Sequence, residues 1–298
     1  MDALTLDQIR IFLTVVDEGS FSEAAKVLNR ARSAVTYGIQ KLESQIGVTL
    51  FDRAAYRPTL TEAGRALLGR ARRIAEEATA FRESAHSLAR GLEAELTIVM
   101  DSMFPMPPVA AALKAFTAQF PTVPPRVYVQ PLGRAAELVL DGTATIGLLP
   151  LIFSDAAALK SFPVLTIDLI SVVSPEHPLA GLEGKIATHV LQQHVQLVLT
   201  DRSALSSDRD HGVLSARTWR LADLSAKQAM LLAGLGWGNM PAHMVEDDIA
   251  RGRLTVIHPA ALDPRMARLV MGCSYLSEDR LGPAARWMLT HLSEGMSA

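Results

Sequence analysis

The feature that most limits how this chain can fold is a proline-free run from Thr61 to about Ala89, dominated by Ala, Leu, Arg and Glu. About 30 residues at a rise of 1.5 Å make one helix about 40 Å long. Thr61 reads as its N-cap, and Glu62 suits the positive helix end. Leu67, Ile74, Phe81 and Leu88 fall seven apart, with Ala71, Ala78 and Ala85 between them. This heptad-like stripe asks for a partner helix. The expectation is the same helix of a second subunit, meeting through Leu67, Ile74, Phe81 and Leu88; the alternative is burial against the chain's own carboxy-terminal part. The run also divides the 298 residues unequally, with about 90 up to its end and about 208 beyond.

Before the long helix lie three shorter ones. Leu6, Ile9, Leu13 and Val16 recur at helical spacing beside Phe12, which predicts a helix over Leu6–Asp17. Ser20-Phe21-Ser22-Glu23 has the S-x-x-E pattern of a capping box, opening a second helix to about Leu28 whose Ala24–Ala25 pair permits a close crossing. After a turn near Asn29–Ala31, a third helix spans roughly Arg32–Gln45, with Val35, Ile39, Leu42 and Ile46 inward. Its other face carries Arg32, Ser33, Thr36, Tyr37, Gln40 and Lys41.

A tight turn between two short helices, the second with such a face, describes a helix-turn-helix that enters the major groove. The bland alternative is a three-helix packing unit with a polar exterior. Arg32 suits guanine or phosphate, and Gln40 adenine or a backbone oxygen. Two short extended pieces follow, Gly47–Phe51 and Tyr56–Leu60, forming a small wing. Phe51 and Leu60 anchor it as core residues, leaving Arg53 and Arg57 for phosphates or the minor groove.

A net charge of −2 argues superficially against nucleic acid. Yet residues 1–90 hold 13 Lys/Arg against 11 Asp/Glu, while residues 91–298 hold 16 against 20. Between Lys26 and Arg57, six cations face only Glu43 and Asp52. That local excess suits a phosphate-facing surface, or equally a solvated face.

The stretch FLTVVDEGSFSEAAKVLNRARSAVTYGIQKLESQIGVTLFDR (Phe12–Arg53), continued by LTEAGRALL (Leu60–Leu68), resembles the LysR-type transcriptional regulators. The match in residue types and gaps runs over some 55 residues. The resemblance implies a winged helix-turn-helix DNA-binding domain (1–60), a linker and dimerisation helix (61–90), and an effector-binding domain (91–298) with a two-lobed, periplasmic-binding-protein-like α/β fold. It places lobe I at about 91–162 and 265–298, and lobe II at about 163–264. It further implies double-stranded DNA, a dimer or tetramer of the chain itself, RNA polymerase and a small-molecule effector as partners. One departure bears on base preference. Family members commonly carry Ser-Gln-Pro or Ser-Gln-Ser at the start of the reading helix, where this chain has Ala31-Arg32-Ser33, so Arg32 replaces a glutamine and Arg30 adds a second cation nearby, which is expected to contact DNA as well.

Beyond the linker, strand-like runs (Glu95–Met100, Arg126–Gln130, Thr145–Leu149, Leu169–Ser174, Gln196–Thr200, Leu269–Ser274) alternate with helical ones (to about Phe120, Arg134–Asp141, Ala229–Gly236, Pro283–Leu292). This is the pattern of an α/β layer with a largely parallel sheet. LVLDG (Leu138–Gly142) matches the family's first lobe, and HPLA (His177–Ala180) and Leu231–Leu254 its second. Open sheets bind ligands at the carboxyl ends of strands. Those ends offer Asp101-Ser102, Pro131–Gly133 and Thr200-Asp201-Arg202, and the resemblance points to Ser102, Thr200 and Asp201 for the effector. Phe104, Trp219 and Met240 are further candidates for the pocket wall.

The remaining patterns exclude rather than propose. No H-E-x-x-H, G-x-S-x-G or P-loop occurs, so neither a metalloenzyme, a serine hydrolase nor any cofactor is expected. Cys273 stands alone in an apolar run and reads as packing. No stretch of 18 apolar residues and no secretory leader is present, giving a cytoplasmic expectation with no membrane partner. The competing classes are a solute-binding α/β module, which would carry an export signal, and a metabolic α/β enzyme, which would show a catalytic constellation.

Overall fold

Thr5 opens the first helix with a reciprocal cap: its hydroxyl accepts from Gln8 N at 3.3 Å while Gln8 Oε1 accepts from Thr5 N at 2.8 Å. The computed structural model describes residues 4–52, 58–156, 159–201, 203–205, 212–262 and 267–295. It divides into two compact units, Met1–Arg90 and Gly91–Ala298.

In the first unit, α1 (Leu6–Glu18), α2 (Phe21–Val27) and α3 (Arg32–Ile46) enclose Ile9, Phe12, Val15, Ala24, Ala25, Val35, Ile39 and Leu42. The buried face of α1 is Gln8, Ile9, Ile11, Phe12 and Val15, wider than the expected stripe, while Leu6 lies exposed. The reason is that α2, α3 and α4 all pack on α1. Ser20 caps α2 by accepting from Glu23 N at 3.1 Å, but Glu23 turns to Lys26 at 2.8 Å instead of completing the box. Ala31 gives α3 no side-chain cap.

The wing strands β1 (Phe51–Asp52) and β2 (Thr59–Leu60) pair antiparallel, Phe51 opposite Leu60. Phe51 is sealed edge-on between Phe12 and Phe21, with ring centroids 5.6 and 5.5 Å away, which adds about 0.5–1.5 kcal/mol per pair to its burial.

Helix α4 (Glu62–Ala89) begins where Thr61 Oγ1 accepts from Gly64 N at 2.9 Å and donates to Thr49 O at 2.7 Å. Gly64 lies so close to the Leu50 carbonyl that a Cβ has no room. Over its first turns Leu67, Leu68 and Ala71 pack into the core of the head, and Arg72 reaches Asp17 at 3.1 Å. Further on, Ile74, Phe81 and Leu88 are 39%, 76% and 52% exposed. The seven-residue stripe is therefore split: Leu67 serves its own unit, and the uncovered part starts at Ile74.

The second unit holds one long sheet in the order β4-β3-β5-β12-β6-β11-β7. Its strands are β3 (Leu96–Asp101), β4 (Pro125–Gln130), β5 (Ile146–Pro150), β6 (Lys160–Val173), β7 (Lys185–Ile186), β11 (Thr255–Pro259) and β12 (Arg268–Tyr275). β10 (Gly238–Pro241) also joins β6, while β8 (Gln196–Leu199) and β9 (Thr218–Leu221) form a separate parallel pair. Helices α5 (Met106–Gln119), α6 (Gly133–Leu140), α7 (Leu151–Ala156) and α11 (Pro283–Gly295) accompany the first-lobe strands, and α8 (Thr188–Leu191), α9 (Leu224–Leu232) and α10 (Ala242–Ala250) the second.

The expected parallel arrangement holds for β3 with β4 and β5, but β12, β10 and β11 run antiparallel to β6. The chain crosses to the second lobe along β6 and returns, so the return strands reverse. β6 starts nine residues earlier than the sequence pattern indicates, running through Pro163. That residue lies opposite Gly272, where the register shifts by a bulge, and a bulge tolerates the missing N–H. α9 likewise begins before the expected Ala229, because Asp223 accepts from Ala226 N at 2.6 Å, and Gly234 at φ 72° turns the chain away.

Candidate nucleic-acid interface and inter-lobe site

Helix α3 sorts its side chains by face. Val35, Ile39 and Leu42 are fully buried, whereas Arg32, Ser33, Tyr37 and Gln40 are exposed. Thr36 is half-buried and donates to Arg32 O at 3.0 Å. Among the described residues, Arg32, Tyr37, Gln40 and Lys41 form no ion pair or side-chain hydrogen bond, which leaves their donors for an external partner. Arg30 differs. It grips Asp7 in a two-pronged pair at 2.7 and 2.9 Å, and its guanidinium holds the Asp7 carboxyl below its usual range. With Lys26 on Glu23, two cations of the basic cluster are neutralised internally. Arg53 and Arg57 lie outside the described residues. Glu43 is structural, accepting from Leu50 N at 2.7 Å and Phe51 N at 3.2 Å at the base of the wing.

In the second unit, strand ends converge on the start of α6. Asp101, fully buried at the end of β3, accepts from Met103 N at 2.7 Å and Leu132 N at 2.6 Å. Burial pushes its carboxyl up to about 7 against these two N–H groups, and neighbouring Asp201 adds to the rise. Leu132 sits at φ 53°, a left-handed backbone that a leucine holds only under restraint. Asp201, from the end of β8, accepts from Arg134 N at 2.8 Å. Gly133 is buried in the first turn between them. Ser102 points its hydroxyl into the protein, where its oxygen is buried without a hydrogen-bond partner among the described residues. Thr200 is half-buried and bonds its hydroxyl to Asp201 O at 3.3 Å.

The structure thus brings together Ser102, Gly133 and Asp201 on the elements around α6, with Thr200 adjoining Asp201. Other candidates are placed elsewhere. Phe104 and Met240 are sealed in the main apolar core, 3% and 0% exposed, because the turn after β3 and strand β10 direct those positions inward. Trp219 projects from β9 at 47% exposure. Arg202 lies outside the described residues. Cys273 is fully buried, and burial pushes its thiol up, away from reactivity.

A cation is also buried in the second lobe. Lys227 on α9 donates to Asn239 O at 2.6 Å, and Asn239 Oδ1 accepts from Ser171 at 2.6 Å. No carboxylate pairs with Lys227 among the described residues, and burial lowers its ammonium to about 7. No group of three potential metal ligands occurs among the described residues, and no helix there is long and apolar enough to cross a membrane.

Residues 6–65 match the profile of the bacterial regulatory helix-turn-helix protein, lysR family, and residues 89–297 that of the LysR substrate binding domain. The chain belongs to the LysR family. A probable HTH-type transcriptional regulator YhaJ of Escherichia coli K12 is 31% identical, covering 97% of this chain and 96% of its own. The regulator AceR of Acinetobacter baumannii is 29% identical over 96% and 95%. A Corynebacterium glutamicum OxyR C206 mutant shares the fold at a TM-score of 0.54, with 22% identity over 97% of this chain and 92% of that one. This LysR-family protein is accordingly a DNA-binding transcriptional regulator with a two-lobed α/β effector-binding domain.

Two features of the regulator escape a sequence reading. Thr5-Leu6-Asp7-Gln8 carries the capping-box signal and was legible in principle. Glu137 was not: its Oε1 accepts from Ala204 N at 2.9 Å, 67 residues away, and only the tertiary fold brings the two together.

Proposed function

We propose that this LysR-family regulator reads its operator through Arg32, Ser33, Thr36, Tyr37 and Gln40. The observation that carries the reading is the sorted surface of α3, where Arg32, Tyr37 and Gln40 are exposed with uncommitted donors among the described residues while the opposite face is sealed. Arg30 is held by Asp7 and acts as a framework cation at the turn; Arg53 and Arg57 of the wing contribute phosphate contacts. Ile74, Phe81 and Leu88 of α4 form the seam to a second copy, and two kinds of contact build a tetramer. An effector enters between the lobes of residues 91–298 near Ser102, Thr200 and Asp201, a reading supported by the Ser102 hydroxyl having no hydrogen-bond partner among the described residues. It shifts the lobes by binding one arrangement better than another. The spacing of the DNA-bound heads then changes, and with it access of RNA polymerase, in the cytoplasm.

Arg32→Ala tests the reading. Loss of a base-edge contact is expected to weaken binding to the operator by about 1–2 kcal/mol, roughly 5- to 30-fold in Kd. Binding to a scrambled duplex changes far less. Fluorescence anisotropy at several salt concentrations separates the two. Equal weakening on both duplexes makes Arg32 a phosphate contact only, and no weakening on either removes it from the interface.

A further inference from the structure

The segment that follows β8 touches α6 of the other lobe at three points, through two carboxylate–amide hydrogen bonds of opposite direction and one apolar contact. Asp201 caps the first turn of α6 by accepting from Arg134 N at 2.8 Å. Glu137, one turn along the same helix, accepts from Ala204 N at 2.9 Å and is itself braced by Arg134 at 2.9 Å. Leu205 packs on the apolar cluster that includes Ala135, Ala136 and Val139. We propose that Asp201, Ala204 and Leu205 form a latch that holds the second lobe on α6, with Asp201 serving as the protein's own carboxylate ligand for the start of that helix.

The physical case rests on the donors. The start of a helix presents N–H groups that favour an anion. Here the N–H groups of Leu132 and Arg134, on either side of Gly133, are both taken by carboxylates of the chain, Asp101 from one lobe and Asp201 from the other, with Arg134 N also reaching Pro131 O at the longer distance of 3.3 Å. An effector carboxylate can reach Arg134 N only by displacing Asp201, one anion for another. The latch is thus also a filter, closed to weak carboxylates because the tethered Asp201 competes at high effective concentration. Its regulatory meaning rests on the reading that the effector acts between the lobes, but its existence does not.

Hydrogen exchange on the full chain, with no effector, tests it. In Asp201→Ala, exchange at Arg134 and across 203–205 is expected to rise at least about tenfold, while β3 and β5 remain protected and report an intact lobe. Sodium acetate at tens of millimolar is expected to restore slow exchange at Arg134 in this variant, where equal sodium chloride does not. Wild-type protein responds to neither salt. Asp201→Asn, which keeps one acceptor oxygen, retains part of the protection. Unchanged exchange in Asp201→Ala, or an acetate effect no larger than that of chloride, overturns the latch. A later failure to find any effector near Ser102 would instead count against the effector site alone.

Discussion

Ile74→Glu together with Phe81→Glu is expected to open the α4 seam and lower the sedimentation coefficient of the assembled regulator at micromolar concentration. Both side chains lie along α4 beyond the part that packs on the head, and Phe81 leaves three-quarters of its surface uncovered. Burying a large apolar side chain contributes about 1.5–3 kcal/mol. A two-fold seam counts each residue twice, so the loss for Phe81 alone is roughly 3–6 kcal/mol, two to four decades in the dissociation constant. Glutamate adds like-charge repulsion across the axis. Sedimentation velocity is the check, with circular dichroism confirming that the helices persist. An unchanged sedimentation coefficient would place the subunit contact elsewhere. Leu67 is unsuitable for this test, since it belongs to the core of the head.

Lys227→Met is expected to stabilise the effector domain by about 3 kcal/mol at pH 7, and the gain should fade toward zero near pH 10. The sign follows from the depressed ammonium. Its pKa is about 7 in the folded chain and 10.5 unfolded. Stability is therefore whole above pH 10.5, is lost as pH falls toward 7, and stays low below that. Methionine fills similar space without a charge to desolvate. Asp101 has the opposite slope: raised from 3.8 to about 7, its carboxyl is a full liability only above pH 7, and stability falls as pH climbs from about 4 to 7. The two together produce a stability trough near neutral pH. All three tryptophans, Trp219, Trp237 and Trp287, lie in residues 91–298, so urea unfolding followed by fluorescence reports on this unit alone. No gain at pH 7, or a gain that persists undiminished at pH 10, would contradict the account of Lys227.

What could be read from the sequence was what local spacing encodes. The stripes of α3 and the caps at Ser20 and Thr61 are written within four residues of each other, and the helices follow. Periodicity gives α1 too narrow a stripe because it does not count neighbours, and three helices crowd α1. Pro163 looked like a boundary because the bulge that accommodates it lies at Gly272, more than a hundred residues away. The candidate site divides in the same manner. Ser102 and Asp201 stand at strand ends, where fold class directs attention. Phe104 and Met240 stand beside such ends but point inward, and composition carries no signal of which way a side chain turns. Arg30 on Asp7, Glu137 on Ala204, and the burial of Lys227 against Asn239 O are products of tertiary contact and leave no trace in spacing.

The central claim, that the exposed face of α3 reads DNA sequence, is tested most directly by mapping the chain's binding sites across its host genome, once for the wild type and once for Arg32→Ala with Gln40→Ala. The account predicts a shared, two-fold symmetric motif under the wild-type sites, and loss of that motif for the variant at equal protein level and unchanged assembly. The same sites occupied with the same motif by both proteins would contradict it.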